Sequence, residues 1–129
     1  MIQRFIELGA GYSDLYELLE IAKTNKDRVS HMLQFETLKN DKKVCSLVVV
    51  LKPTVVGNFQ PLYICREGIP MLENKKSKRV ILFEETAEQI GKNVTSFSVK
   101  PSTIFPEKEL YFNHLIGILR MNHFIPPMQ

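Results

Sequence analysis

Three histidines, two cysteines, a glycine-bracketed turn and one run of basic residues carry most of the chemistry available to this chain of 129 residues. His31, His114 and His123 could serve as acids, bases or metal ligands near neutral pH. No two of them stand four residues apart, and neither a His-Glu-x-x-His motif nor a paired-cysteine spacing accompanies them. Glu109 lies five residues before His114, which sets the two on different faces of a helix. These histidines are expected to be structural and partly buried.

Cys45 and Cys65 sit in apolar contexts. A hairpin centred near residues 55–56 would bring Cys45 opposite about residue 66, so the thiols are expected to be cross-strand neighbours. A reactive thiolate needs a cation or a helix N-terminus beside it, and Arg66 is the nearest cation in sequence. Two free, buried thiols in a reducing compartment are the expectation.

The stretch Gly9-Ala10-Gly11 joins a strand-like run to a helix start, as a dinucleotide-binding turn does. The third glycine position of that fingerprint is Asp14, whose carboxylate would repel a phosphate. No acidic residue closes the next strand to hold a ribose, and the Lys and Ser/Thr of a phosphate loop are missing. Gly9 and Gly11 are expected to supply positive φ in a tight turn, and no cofactor is expected.

"NKKSKR" (74–79) places four cations in six residues, so Lys75, Lys76, Lys78 and Arg79 form a candidate anion contact. No aromatic platform is interleaved with them, and the net charge is only +3. Both facts argue for a solvated loop and against a dedicated nucleic-acid binder. The order α-β-β-β-α-β from residue 13 to 101 resembles the core of the PD-(D/E)xK nuclease-like fold. That chemistry requires an Asp on the second core strand and an acidic-x-Lys on the third, gathered around Mg²⁺. The corresponding strands read "VCSLVVVLK" and "YICREG" and carry neither. A related fold would have lost its active site.

"NFQPLYICREGIP" (58–70) combines Phe59, Tyr63, Arg66 and Glu67 with two prolines. Arg and Tyr are favoured at protein contacts. With Tyr111 and Phe112 these residues form a candidate interaction surface, for a homodimer or another protein.

The elements that must position these groups follow from periodicity and turn chemistry. Residues 2–8 read as a strand. Ser13 caps a helix to about residue 25, with Leu15, Leu18, Leu19 and Ala22 on one stripe and Asn25 closing it in a left-handed conformation. Residues 29–38, 44–52 and 59–67 read as strands joined by the polar turns 39–43 and 53–58, an antiparallel meander. Pro61 suits a sheet edge or a strand beginning. Residues 68–79 read as a loop. Ser77 caps a helix to about Ile90, ended by Gly91, with a strand over 79–83 as the competing reading. Residues 93–101 form a strand, and Pro106 starts a third helix to about Asn122, packed on the sheet or on another subunit.

The length fits one domain spanning 1–129 with a real core. Apolar content of 44% and charged content of 24% match ordinary globular composition. The longest apolar run, "VCSLVVVL", is far short of the roughly 20 residues of a membrane span, so no membrane contact is expected. The N-terminus carries no long apolar segment or cleavage site, so a cytoplasmic location is expected.

"GYSDLYELLE", "NFQPLYICREGIP", "KPST" and "EKELYFNHLIGILRMNHFIPP" together resemble a small uncharacterised protein family of Bacillus-type Gram-positive bacteria. The resemblance runs over nearly the whole chain and implies a cytoplasmic bacterial protein of unknown function. Members sometimes carry a methylthioribose kinase label. This sequence has no glycine-rich phosphate loop with a partner Lys, no His-Arg-Asp-like catalytic loop and no Asp-Phe-Gly metal site.

The fold expected is α+β: about five strands in a mainly antiparallel sheet with three helices covering a face, in the order β-α-β-β-β-α-β-α. The function expected is non-catalytic binding or regulation through protein contacts. The alternatives are a degenerate nuclease-like or nucleic-acid-binding domain using residues 74–79, and a small enzyme whose site has no recognisable motif.

Overall fold

The computed structural model describes residues 2–8, 13–53, 59–65, 68–72 and 74–125. The turn expected at residues 9–11, Arg66, Glu67 and the Ser13 side chain lie outside the described parts. The elements are β1 (Ile2–Glu7), α1 (Ser13–Thr24), β2 (Val29–Lys39), β3 (Lys42–Leu51), β4 (Phe59–Ile64), β5 (Ile69–Pro70), α2 (Lys78–Gln89), β6 (Val94–Ser98), a 3₁₀ turn (Ser102–Ile104) and α3 (Lys108–Met121). The class is α+β with three helices, and residues 79–83 are helical.

The sheet runs β1-β4-β3-β2-β6, with β5 also on β3. The meander β2-β3-β4 is antiparallel, as the short loops require. Both outer strands pair in parallel, β1 with β4 and β6 with β2. The sheet is therefore mixed, a correction to the mainly antiparallel expectation. Among the described strands β3 alone runs against all the others. The cause is connectivity: α1 links β1 to β2 and α2 links β4 to β6, each crossing over two strands, and such crossovers join strands of like direction.

Helices cover both faces, where one covered face was expected. Leu15, Leu18 and Ala22 of α1 and Val80, Phe83 and Ala87 of α2 pack with Met32, Cys45, Leu47 and Val49 on one face. Tyr111, Leu115, Ile116 and Leu119 of α3 pack with Phe5, Leu33, Phe35, Val48 and Val50 on the other. This explains the continuous apolar run of β3: a strand buried on both faces has no solvent side to alternate toward. Each fully buried Leu adds roughly 1.5–3 kcal/mol relative to an exposed one. On the α3 face Arg120 Nε donates to Gln3 Oε1 at 2.8 Å. Gln3 Nε2 in turn donates to Gln60 Oε1 at 2.9 Å and Gln60 Nε2 to the Leu51 carbonyl at 3.1 Å. The relay ties α3 to three strands without stranding a buried amide.

Local chemistry sets the ends. Asn40 and Asp41 have φ of 53° and 63°, the two positive values that a tight two-residue hairpin between Lys39 and Lys42 requires. The predicted turn is thus shorter and the strands longer. Ser77 Oγ accepts from the Arg79 amide at 3.2 Å and caps α2; Gly91, at φ 77°, ends it. Asn25 does not take the left-handed conformation; its side-chain amide donates back to the Ile21 carbonyl at 2.9 Å. His123 does take it, at φ 62°, and stops α3. That helix starts at Lys108 behind an extended Glu107, so Pro106 lies before it.

Pro61 is on an interior strand, at the position before β4 begins to pair with β3 at Leu62. Its missing N–H costs no ladder bond there. Val48 stands opposite Ile64, but Cys45 stands opposite Ile69. The chain therefore bulges by two residues between β4 and β5. This puts a short strand, and a bridge between Leu72 and Lys75, where a plain loop was expected.

Candidate functional site

On the α1/α2 face the helices leave one strip of sheet open, beyond the first turn of α2. Met32 is under the helices, but Gln34, Glu36 and Leu38 follow it on the same side of β2. Their sheet partners on that face are Ser96 and Ser98 of β6 and Leu47, Cys45 and Lys43 of β3. Residues 70–72 and 75–77 border part of this strip and, with it, line a cleft.

The cleft has a volume of about 210 Å³ and is lined chiefly by Gln34, Glu36, Met71, Val80, Ser96 and the Lys75–Ser77 segment. Gln34 is 7% exposed. Its Nε2 donates to Glu36 Oε1 at 3.3 Å and faces Met71 Sδ at 4.0 Å. The carboxylate fixes the orientation of the amide, since the reverse would set two acceptors together. Gln34 Oε1 accepts nothing from the described residues and is not sealed from solvent, so it faces the cleft. At the rim Lys76 Nζ holds both oxygens of Glu84, at 3.1 and 3.0 Å.

A second groove of about 410 Å³ lies at the carboxyl ends of β2 and β6, with Leu38, Val99 and Pro101 as apolar lining and Lys43 and Lys100 beside them. Leu38 is 59% exposed. Val99 extends the pairing through its amide, which donates to the Glu36 carbonyl at 2.9 Å. Beyond β2, no described strand pairs with β6.

The thiols are buried neighbours on the α1/α2 face of the sheet. Cys65 stands opposite Leu47, two residues from Cys45, and the bulge after it sets Cys45 opposite Ile69. Burial pushes the Cys45 thiol up to about 12, with the Cys65 and Glu36 charges adding to the rise. Burial also pushes Cys65 up to about 12; the Leu47 amide and Arg79 oppose this and Asp14 reinforces it. Both are free thiols, protonated near neutrality.

The histidines do not converge. His31 stacks edge-on against Phe124 at 4.6 Å, and burial with the Lys92 charge lowers its pKa. His114 Nε2 accepts from the Lys100 amide at 3.3 Å, and burial with the Lys100 charge lowers its pKa. His123 is exposed. Among the described residues no three of His, Cys, Asp and Glu are grouped to hold a metal.

The residues read as an interaction surface fall on different sides of the sheet. Tyr63 is half-buried against the α1/α2 core, and Phe59 on the same strand is half-buried. Tyr111 is 4% exposed within the α3 core. Phe112 stacks on Phe5 at 5.2 Å. Of the basic run, Lys75 and Lys78 are exposed, Lys76 is paired with Glu84, and Arg79 is half-buried near Cys65.

Gln34 and Glu36 were missed by sequence reading. In "HMLQFETLK" they occupy the polar side of an alternating strand, which normally means water. The one available sign is that a strand in mid-sheet, flanked by helices, should have no solvent side at all.

No helix among the described residues is long and apolar enough to cross a membrane. Neither a curated protein nor a solved structure matches the chain. A family model does match, over residues 1–125, so the chain belongs to the family described as Domain of unknown function (DUF7147).

Proposed function

We propose that this chain is a non-catalytic binding module that acts through a protein contact, made by the outer edge of β6 and the groove at its carboxyl end. The free edge carries the reading: among the described residues β6 pairs with β2 alone. Unpaired N–H and C=O groups on an edge strand are a template for another extended segment. The adjoining groove offers Leu38, Val99 and Pro101 to apolar side chains.

Charge selects the occupant. Lys92 precedes the strand and Lys100 follows it. Two copies of β6 meeting antiparallel about Ser96 would set Lys92 of each copy opposite Lys100 of the other. Like charges directly opposite are destabilising. An extended segment of a different protein, acidic at both ends around a β-branched core, fits better.

Fluorescence anisotropy with nine-residue peptides of alternating Val and Thr, ended by Glu or by Lys, tests this. The Glu-ended peptide is expected to bind, more weakly as salt rises, and K92E/K100E is expected to reverse the preference. Binding indifferent to the end charges, or a stable dimer in light scattering, would overturn the reading.

A further inference from the structure

We infer that His114 controls the carboxyl end of the β6 edge: as a neutral ring it holds the Lys100 amide, and once protonated it releases that amide to an incoming extended segment. The inference rests on the protein contact proposed above and adds the regulation of that site.

The direction of the backbone shows what the ring covers. The Val99 amide donates to the Glu36 carbonyl at 2.9 Å, so the amides of Thr95, Phe97 and Val99 turn toward β2. Those of Ser96, Ser98 and Lys100 turn away, to the side where β6 has no strand neighbour among the described residues. Lys100 precedes Pro101, which favours an extended backbone there, so its amide continues the row. No described residue takes the Ser96 or Ser98 amide. The Lys100 amide does have a partner: it donates to His114 Nε2 at 3.3 Å, a side chain reaching over from α3. An edge amide covered in this way is closed to another chain.

The bond exists in one protonation state only. A ring nitrogen that accepts carries no proton, whereas an imidazolium donates from both nitrogens. The ring packs on Phe105 at 5.4 Å, a contact that Tyr111 shares from within the core. Lys100 is the charged group whose field reaches it. Glu109 sits on a different face of α3, and no carboxylate pairs with the ring among the described residues. Burial and Lys100 together hold His114 below the ordinary 6.5, so the amide is held near neutrality and let go in mild acid. The freed amide offers a segment one more rung beyond Ser98. The new charge beside Lys100 favours the segment's acidic end. Both effects tighten binding as pH falls.

The test is anisotropy of the Glu-ended peptide at pH 7.5 and pH 5.5, both above the ordinary glutamate pKa of about 4.3. The parent is expected to bind about three- to tenfold more tightly at the lower pH, the worth of one hydrogen bond. H114A, with the Lys100 amide free at both values, is expected to bind more tightly than the parent at pH 7.5 and to lose most of the pH change. H114Q, whose side-chain oxygen accepts but does not titrate, is expected to stay weak at both. His31, which feels Lys92 at the other end of the edge, also gains charge in acid; H31Q is expected to keep the tightening. Circular dichroism at both pH values checks that each variant is folded. A parent whose affinity ignores pH, or an H114A or H114Q that follows the parent's profile, would overturn the inference and leave the edge reading standing. A peptide that binds at neither pH would overturn both.

Discussion

The backbone amide of Leu47 donates to the sulfur of Cys65 at 3.2 Å. The Cys65 amide answers by donating to the Leu47 carbonyl at 3.0 Å. The thiol thus serves as acceptor where a regular antiparallel pair would offer Leu47 a strand carbonyl.

Replacing that sulfur should therefore cost more than its size suggests. C65A leaves a buried amide unsatisfied and is expected to destabilise by about 2 kcal/mol. C45A, whose sulfur accepts no amide among the described residues, is expected to cost about 1 kcal/mol less. Urea unfolding of the two variants measures the difference.

Alkaline pH should destabilise the fold through the same pair. Their folded pKa of about 12 exceeds the ordinary value of 9.0. The unfolded state therefore loses thiol protons first, and stability falls as pH rises from about 9 toward 12. Iodoacetamide at pH 8 is expected to label both cysteines only after denaturant is added. Fast labelling of the native protein would contradict the buried geometry.

Acid acts through His31 and His114. Both are held below the ordinary 6.5 by burial and a nearby lysine. The unfolded state takes up protons first as pH falls below that value, so stability drops with acidification until the lower folded pKa is passed. The urea midpoint is expected to fall between pH 7 and pH 5, and H31Q/H114Q to flatten that slope.

Two hydroxyls offer a gain. Thr37 Oγ1 and Ser46 Oγ are buried with no hydrogen-bond partner. T37V keeps the shape and removes an unsatisfied group, so it is expected to raise stability by about 1 kcal/mol. Thermal melting of T37V and S46A gives the sign directly.

The meander was legible in the sequence because its evidence is local. β-branched alternation and two polar turns place its centre within a residue of the observed Val48–Ile64 register. Ser77 and Gly91 likewise mark α2 by their own chemistry. The parallel flanks were not legible. Nothing in Ile2–Glu7 names Phe59–Ile64 as its neighbour; the crossover of α1 decides that. Aromatic residues are ambiguous for a related reason: the sequence does not say which way a helix turns them, and α3 buries Tyr111 in its core and stacks Phe112 on Phe5. The cleft was hidden most deeply, since Gln34 and Glu36 line it together with residues 70–72 and 75–77, which are distant in sequence.

The lone reversed direction of β3 has a consequence for how the chain assembles. Its hairpin with β2 closes across two residues, so it forms at little loop-closure entropy, whereas β1 and β6 must each await a crossover helix before they can dock. The hairpin is expected to nucleate folding and the parallel strands to condense on it last. Amide hydrogens at the centre of β3 should then outlast those of β1 and β6 in deuterium exchange, and the border strands should be the first to open on the native protein.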